Sequence, residues 1–214
     1  MKRLNIYSLR TWAGPKFERF AEKAPKCITP DMLTVISFLL AIVSAFFYYY
    51  SGKNFPFLFL LFALVFLMLS SFLDALDGAL ARVRRNSTLR GDFLDHVFDR
   101  YADIFLLGGI IFGGYTTYQI GFLAVIGVLL TSIFGTRAQA LGLSREYRGI
   151  LGRASRLLIL ILVTLLNIIY PEKIGVDWLN FSFLGWAMLI FATLGNLTAL
   201  QRFIYIQRAL DKSR

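Results

Sequence analysis

Carboxylates crowd the ends of two apolar runs in this chain, and few folds can hold them there. Asp74, Asp77, Asp95 and Asp99 fall between Phe55–Leu73 on one side and Ile104–Ile111 on the other. In segments built for lipid an ionisable group is expensive, and it faces a bundle interior or a water-filled cavity. Asp74 and Asp77 are three residues apart and Asp95 and Asp99 four apart, so on helices each pair shares a face. Two antiparallel helices then present a four-carboxylate cluster, which repels itself unless cations intervene. Donors that are all oxygen favour Mg²⁺, Mn²⁺ or Ca²⁺. With ~1.5 Å of rise per residue, Asp74 meets Asp99 and Asp77 meets Asp95 at similar depth, just below the membrane interface.

The rest of the chain fits a membrane protein. It is 57% hydrophobic over 214 residues, too apolar for a soluble domain and long enough for one membrane domain with short loops. Residues Arg3–Lys23 set Leu4, Leu9, Trp12, Phe17 and Phe20 among Arg10, Lys16, Arg19 and Lys23, which suits an amphipathic helix lying on the membrane surface and ended by Pro25 and Pro30. Spanning segments are expected over Leu33–Tyr50, Phe55–Arg82, Gly91–Phe112, Gln119–Ala140, Ile150–Ile169 and Trp178–Tyr205, separated by short turns. The expected fold is therefore an all-α membrane protein. Residues 1–30 form an N-terminal interfacial amphipathic helix, and residues 31–214 form a six-transmembrane-helix bundle.

A net charge of +10 would suggest nucleic acid in a soluble chain. Here every Lys and Arg except Lys53, Arg100 and Lys173 lies in Met1–Asp31, Arg82–Arg90, Arg137–Arg156 or Arg202–Arg214. That is the positive-inside pattern, and it places both termini and the Asp-bearing end in the cytoplasm. No nucleic-acid partner is needed, and anionic membrane lipid is the natural surface for these charges. The single cysteine, Cys27, excludes an internal disulfide. The basic, mixed start does not read as a cleavable signal peptide.

Several neighbours of the carboxylates carry further chemistry. A divalent ion on a few carboxylates commonly completes its shell with phosphate oxygens, which points to a diphosphate substrate and displacement at phosphorus. Gly78 and Ala81 clear side chains from the face beside Asp77, either for a flat base and ribose or for close helix packing. Arg82 offers a fixed charge that can fork onto phosphate. At ~100° per residue, Asp92, Asp95, Asp99 and Asp103 fall within a sector of roughly 80°. Asp103 suits either support of a metal-bound partner or a hydrogen bond from a neighbouring helix. His96 lies about 100° from Asp95 and reads as a packed or headgroup-facing histidine. Arg137 closes the fourth span, while Arg153 and Arg156 open the fifth on one face. Three guanidiniums at adjacent helix ends suit a phosphate monoester as well as simple anchoring at the membrane.

The run Asp74-x2-Asp77-Gly78-x2-Ala81-Arg82-x8-Gly91-x3-Asp95-x3-Asp99 resembles the signature of the CDP-alcohol phosphotransferase family, with every fixed position filled. The resemblance implies a CDP-linked lipid, CDP-diacylglycerol or CDP-archaeol, attacked at the β-phosphorus by an alcohol with release of CMP. It implies Mg²⁺ or Mn²⁺, as two ions, on Asp74, Asp77, Asp95 and Asp99, with Asp99 also the general base. Asp74, Gly78, Ala81, Arg82 and Gly91 then hold the CDP-lipid. Thr34 joins them through Thr29-Pro30-Asp31-x2-Thr34, which is similar to the family's Pro-Asn-x-x-Thr segment except that Asp31 replaces the Asn. Arg137-Ala-x-Ala-x-Gly142 with Gly152-Arg153-x2-Arg156 resembles the branch whose acceptor is inositol phosphate, with those arginines on the acceptor phosphate. The resemblance also implies a homodimer in the cell membrane. Glycerol 3-phosphate or serine is the neighbouring alternative for the acceptor. A divalent-cation transporter is the alternative of a different class, although it gives no reason for Arg82, Gly91 and their spacing.

Overall fold

The structure is a computed structural model that describes residues 6–25, 27–84, 88–142, 152–176 and 179–211, with side chains from residue 14 onward. Seven helices follow one another among the described residues: α1 (Ile6–Glu22), α2 (Pro30–Ser51), α3 (Pro56–Val83), α4 (Leu89–Phe112), α5 (Tyr118–Ala140), α6 (Arg153–Ile169) and α7 (Phe183–Asp211). α2 to α5 match the expected first four spans within a few residues. The expected starts at Ile150 and Trp178 lie outside the described residues, as do Arg3, Leu4 and the side chains of Leu9, Arg10 and Trp12. α7 begins later than the apolar run suggests, because Ile174 and Phe181 pair as an antiparallel bridge before the helix can start.

Helix starts follow local chemistry. Thr29 caps α2 by accepting from the Met32 amide at 3.3 Å, and Pro30 occupies the first turn, where its missing N–H costs nothing. Thr88 caps α4 by accepting from the Gly91 amide at 3.0 Å. Thr29 and Thr88 therefore fix how α2 and α4 enter the site described below.

Among the described residues, four helices are long and apolar enough to cross a membrane: α2, α3, α5 and α7. α4 carries Asp92, Asp95, Asp99, Arg100 and Asp103 along its first half, and α6 has 17 residues. The chain is thus an all-helical, multi-pass integral membrane protein. α2 packs on α3 and α4, and α5 packs on α7. Tyr48, Leu60, Leu67, Leu106, Ile110, Met188 and Phe191 form the shared core.

Packing between these helices relies on close approach and buried hydroxyls. A Cβ on Gly109 would fall 2.9 Å from both the carbonyl carbon and the Cα of Ala45, so only glycine lets α4 sit this near α2. Ser44 donates to the Ala63 carbonyl and Ser70 to the Ser37 carbonyl, each at 2.8 Å, tying α2 to α3. Tyr48 OH and Thr164 Oγ1, 2.5 Å apart, join α2 to α6.

α1 rests on the end of α3 that carries the carboxylates. Phe17 and Ala21 pack with Leu73, Leu76 and Leu80. Arg84 closes this corner, donating to the carbonyls of Ile28 at 2.5 Å, Pro25 at 2.9 Å and Ala24 at 3.1 Å.

Candidate active site

α3 ends and α4 begins at the same end of the bundle, and α2 starts beside them. From these three ends the chain assembles a carboxylate cage opening onto a groove. Asp74, Asp77 and Asp95 each offer an oxygen, and the three lie within 4.8 Å of one another. Asp95, His96 and Asp99 form a second group at the same limit. Asp77 and Asp99 are buried, whereas Asp74 and Asp95 are half-buried. Thr34 donates its hydroxyl to Asp77 Oδ2 at 2.7 Å, which fixes that carboxylate from α2. His96 Nδ1 lies 3.7 Å from Asp95 Oδ2, too long for a hydrogen bond.

Arg153, at the start of α6, points into this cluster. Its Nη1 lies 2.8 and 2.7 Å from the two oxygens of Asp74 and 2.8 Å from Asp99 Oδ1. One guanidinium therefore bridges α3 and α4, and Asp74 and Asp99 stand level, as the opposed helix directions require. One turn along, Arg156 Nη2 meets Asp103 Oδ2 at 2.6 Å in a fully buried pair. The hydrogen bond from a neighbouring helix, one of the two roles open to Asp103, is present. Arg137 is exposed at the end of α5 and does not share in these pairs. Arg202 on α7 is buried and donates to the Thr131 carbonyl at 2.6 Å, a position that periodicity alone did not mark.

The groove has a volume of about 150 Å³ and is lined by Pro30, Asp31, Thr34, Asp77, Gly78, Ala81, Thr88, Gly91, Asp92 and Asp95. Residues separated by up to 65 positions meet here, including Thr34, Gly78, Ala81 and Gly91. Gly78 resolves in favour of open space: an added Cβ would meet only Arg82 Nη1, at 3.5 Å, and no packed helix. Asp31 joins the lining, with Oδ1 3.2 Å from where a Cβ on Gly91 would stand, so it shapes the rim as an acceptor-only group. Arg82 lies at the rim instead, its Nε 3.6 Å from Glu18 of α1. At such exposed distances that pair is weak and leaves the guanidinium available to an incoming anion.

The donor set suits hard divalent cations: all-oxygen, anionic, and held in place from outside by Thr34 and Arg153. A hard-oxygen cage joined to an open groove, at the end of a helical membrane bundle, fits a metal-dependent transferase working at the lipid boundary. Residues 27–201 match CDP-alcohol phosphatidyltransferase, and the chain belongs to that family. It is an enzyme of phospholipid biosynthesis in the transferase class.

Two relatives and one solved structure define its neighbourhood. The chain is 34% identical over 160 residues to the archaetidylinositol phosphate synthase of Pyrococcus horikoshii, covering 72% of this chain and 80% of that protein. It is 34% identical over 203 residues to the archaetidylinositol phosphate synthase of Methanothermobacter thermautotrophicus, covering 94% and 92%. The fold matches the crystal structure of Mycobacterium tuberculosis phosphatidylinositol phosphate synthase with CDP-DAG bound, at a TM-score of 0.70 and 23% identity over 89% of this chain and 92% of that one. Family membership does not favour the cation-transporter alternative.

Proposed function

We propose that the chain transfers a phosphatidyl-type group from a CDP-linked lipid, CDP-archaeol or CDP-diacylglycerol, to inositol phosphate, with release of CMP. The observation that carries this reading is the junction of groove and cage. Asp77 and Asp95 belong to both, so a nucleotide lying against Gly78, Ala81 and Gly91 brings its diphosphate to the carboxylates. Mg²⁺ or Mn²⁺ held by Asp74, Asp77, Asp95 and Asp99 supplies charge neutralisation at the attacked phosphoryl group.

The chain's own residues do the rest. Thr34 and Gly78 with Ala81 receive the cytidine side, and Arg82 at the rim meets a phosphate oxygen. Asp99 Oδ1 is engaged by Arg153, which leaves Oδ2 to take the proton of the acceptor hydroxyl as its oxygen bonds to phosphorus. The bond between that phosphorus and the CMP oxygen breaks, and CMP leaves with the electron pair. Arg153 and Arg156, with Arg137 at the entrance, orient the acceptor phosphate so that its hydroxyl stands beside Asp99. The two archaetidylinositol phosphate synthases at 34% identity support the choice of inositol phosphate.

In this reading α2 to α7 are six spans in the cell membrane. α4 crosses because its carboxylates face inward, and the 17 residues of α6 reach about 25 Å at ~1.5 Å per residue. α1, within residues 1–30, lies along the inner surface, and 31–214 form the catalytic domain. The charge asymmetry supports a cytoplasmic site and termini.

The test offers purified enzyme CDP-archaeol or CDP-diacylglycerol with inositol phosphate, inositol, glycerol 3-phosphate or serine, and identifies lipid products by mass spectrometry. Inositol phosphate is expected to be the preferred acceptor. Equal reaction of inositol and its phosphate would reduce the arginines to membrane anchors.

A further inference from the structure

His96 is the only histidine in the chain. Helical spacing sets its Cβ about 100° round α4 from Asp95, off the face that Asp95 and Asp99 share. The side chain nevertheless returns to that face. Its Nδ1 lies within 4.8 Å of a carboxylate oxygen of Asp95 and of one from Asp99. That nitrogen is buried and has no hydrogen-bond partner among the described residues, although the imidazole as a whole is 23% exposed.

A buried polar atom left without a partner carries a desolvation cost, so a packed histidine normally spends each ring nitrogen on a hydrogen bond. Asp95 Oδ2, at 3.7 Å, is too distant to share one with Nδ1. The same gap suits a cation between the two atoms, because two ligand bonds of ~2.1 Å each span up to ~4.2 Å. Asp95 belongs both to this group and to the group of Asp74 and Asp77. The cage therefore holds two sets of donors joined at one carboxylate. The first is oxygen throughout, and the second includes a nitrogen. Mg²⁺ and Ca²⁺ favour oxygen alone, whereas imidazole favours transition ions, among which Mn²⁺ is also at home with carboxylates.

We propose that His96 Nδ1 is a metal ligand, acting with Asp95 and Asp99, and that it biases this part of the cage towards Mn²⁺ over Mg²⁺. To coordinate, Nδ1 presents its lone pair and Nε2 carries the ring proton. The proposal rests on the metal assignment of the proposed function and adds to it a donor that is not a carboxylate.

The test is pulsed electron paramagnetic resonance of Mn²⁺, below one equivalent, on the full chain purified without a histidine tag and held in nanodiscs. With a single histidine in the sequence, any imidazole coupling belongs to His96. The expected result is a coupling from directly bound ¹⁴N, replaced by the ¹⁵N pattern when the protein is grown on ¹⁵N-histidine. His96→Ala should abolish it and weaken Mn²⁺ binding about tenfold or more in calorimetry, since even the outer partners of metal ligands cost that much. Mg²⁺ binding should stay near the parent value. Bound Mn²⁺ without nitrogen coupling in the parent would overturn the proposal and leave the carboxylate assignment standing. Failure of the parent to bind Mn²⁺ at all would bring down both. Equal loss of Mg²⁺ and Mn²⁺ affinity in His96→Ala would also overturn the proposal, leaving His96 a packing residue. The labelled parent needs no substitution, so its spectrum decides the matter even if His96→Ala does not fold.

Discussion

Asp99 and Arg153 show how one contact divides labour within a side chain. The guanidinium takes Oδ1, and Oδ2 lies outside that ion pair. If Oδ2 is the base, Asp99→Asn lowers kcat by roughly 10²–10⁴, the usual weight of a positioned proton acceptor, with little change in CDP-lipid KM. Full recovery of the rate on raising Mg²⁺ would make Asp99 a ligand alone. Arg153→Ala removes a charged hydrogen-bonding partner worth ~1.5–3 kcal/mol, or about tenfold or more in the acceptor KM. Titration of the acceptor at saturating CDP-lipid checks this, and an unchanged KM would confine Arg153 to bracing Asp74 and Asp99. Its contact with the cage was not legible in the sequence. Spacing puts Arg153 and Arg156 on one face of α6, but nothing in a one-dimensional pattern says that the face meets α3 and α4.

Among the elements, α4 does two jobs in sequence. Its first half holds the carboxylates, and its second half packs against α2 through Gly109. Gly109→Ala places a methyl on the Ala45 backbone, and such overpacking commonly costs ~1–3 kcal/mol. The neighbouring Gly108→Ala meets nothing within 4 Å and serves as its control. Thermal melting in detergent should fall for the first and hold for the second. Equal melting temperatures would mean that α2 and α4 are less tightly joined than described. α1 depends on Arg84, whose three carbonyl acceptors lock the connector before α2. Arg84→Ala should therefore speed proteolytic cleavage near Pro25 by several-fold, while leaving the bundle intact. Helices α2 to α5 were readable because each apolar run ends in a Thr cap, a Pro or a Gly. The Arg84 clamp was not, since its acceptors are backbone carbonyls that carry no residue signature.

At the level of the whole molecule, the groove is the feature that the chain order conceals and the fold creates. Thr34 and Asp77 are 43 positions apart, yet they hydrogen-bond at 2.7 Å. The motif located the carboxylates because i, i+3 and i+4 spacing survives as a helix face whatever the tertiary fold. Gly78 had two readings from sequence, and only the fold shows that a Cβ there would meet Arg82 Nη1 alone, at 3.5 Å, rather than a packed helix. Arg137 ends α5 as its place in the sequence suggests, and the structure leaves it exposed, where Arg153 and Arg156 are paired with carboxylates. The central claim is that the shared carboxylates Asp77 and Asp95 drive transfer from the CDP-linked lipid. The most direct measurement is CMP release from CDP-lipid and inositol phosphate by the parent chain and by Asp77→Asn and Asp95→Asn, each folded and inserted, at limiting Mg²⁺ or Mn²⁺. The account predicts metal-dependent CMP release by the parent and none above background by either variant. Parent-like release from the Asn variants would contradict it.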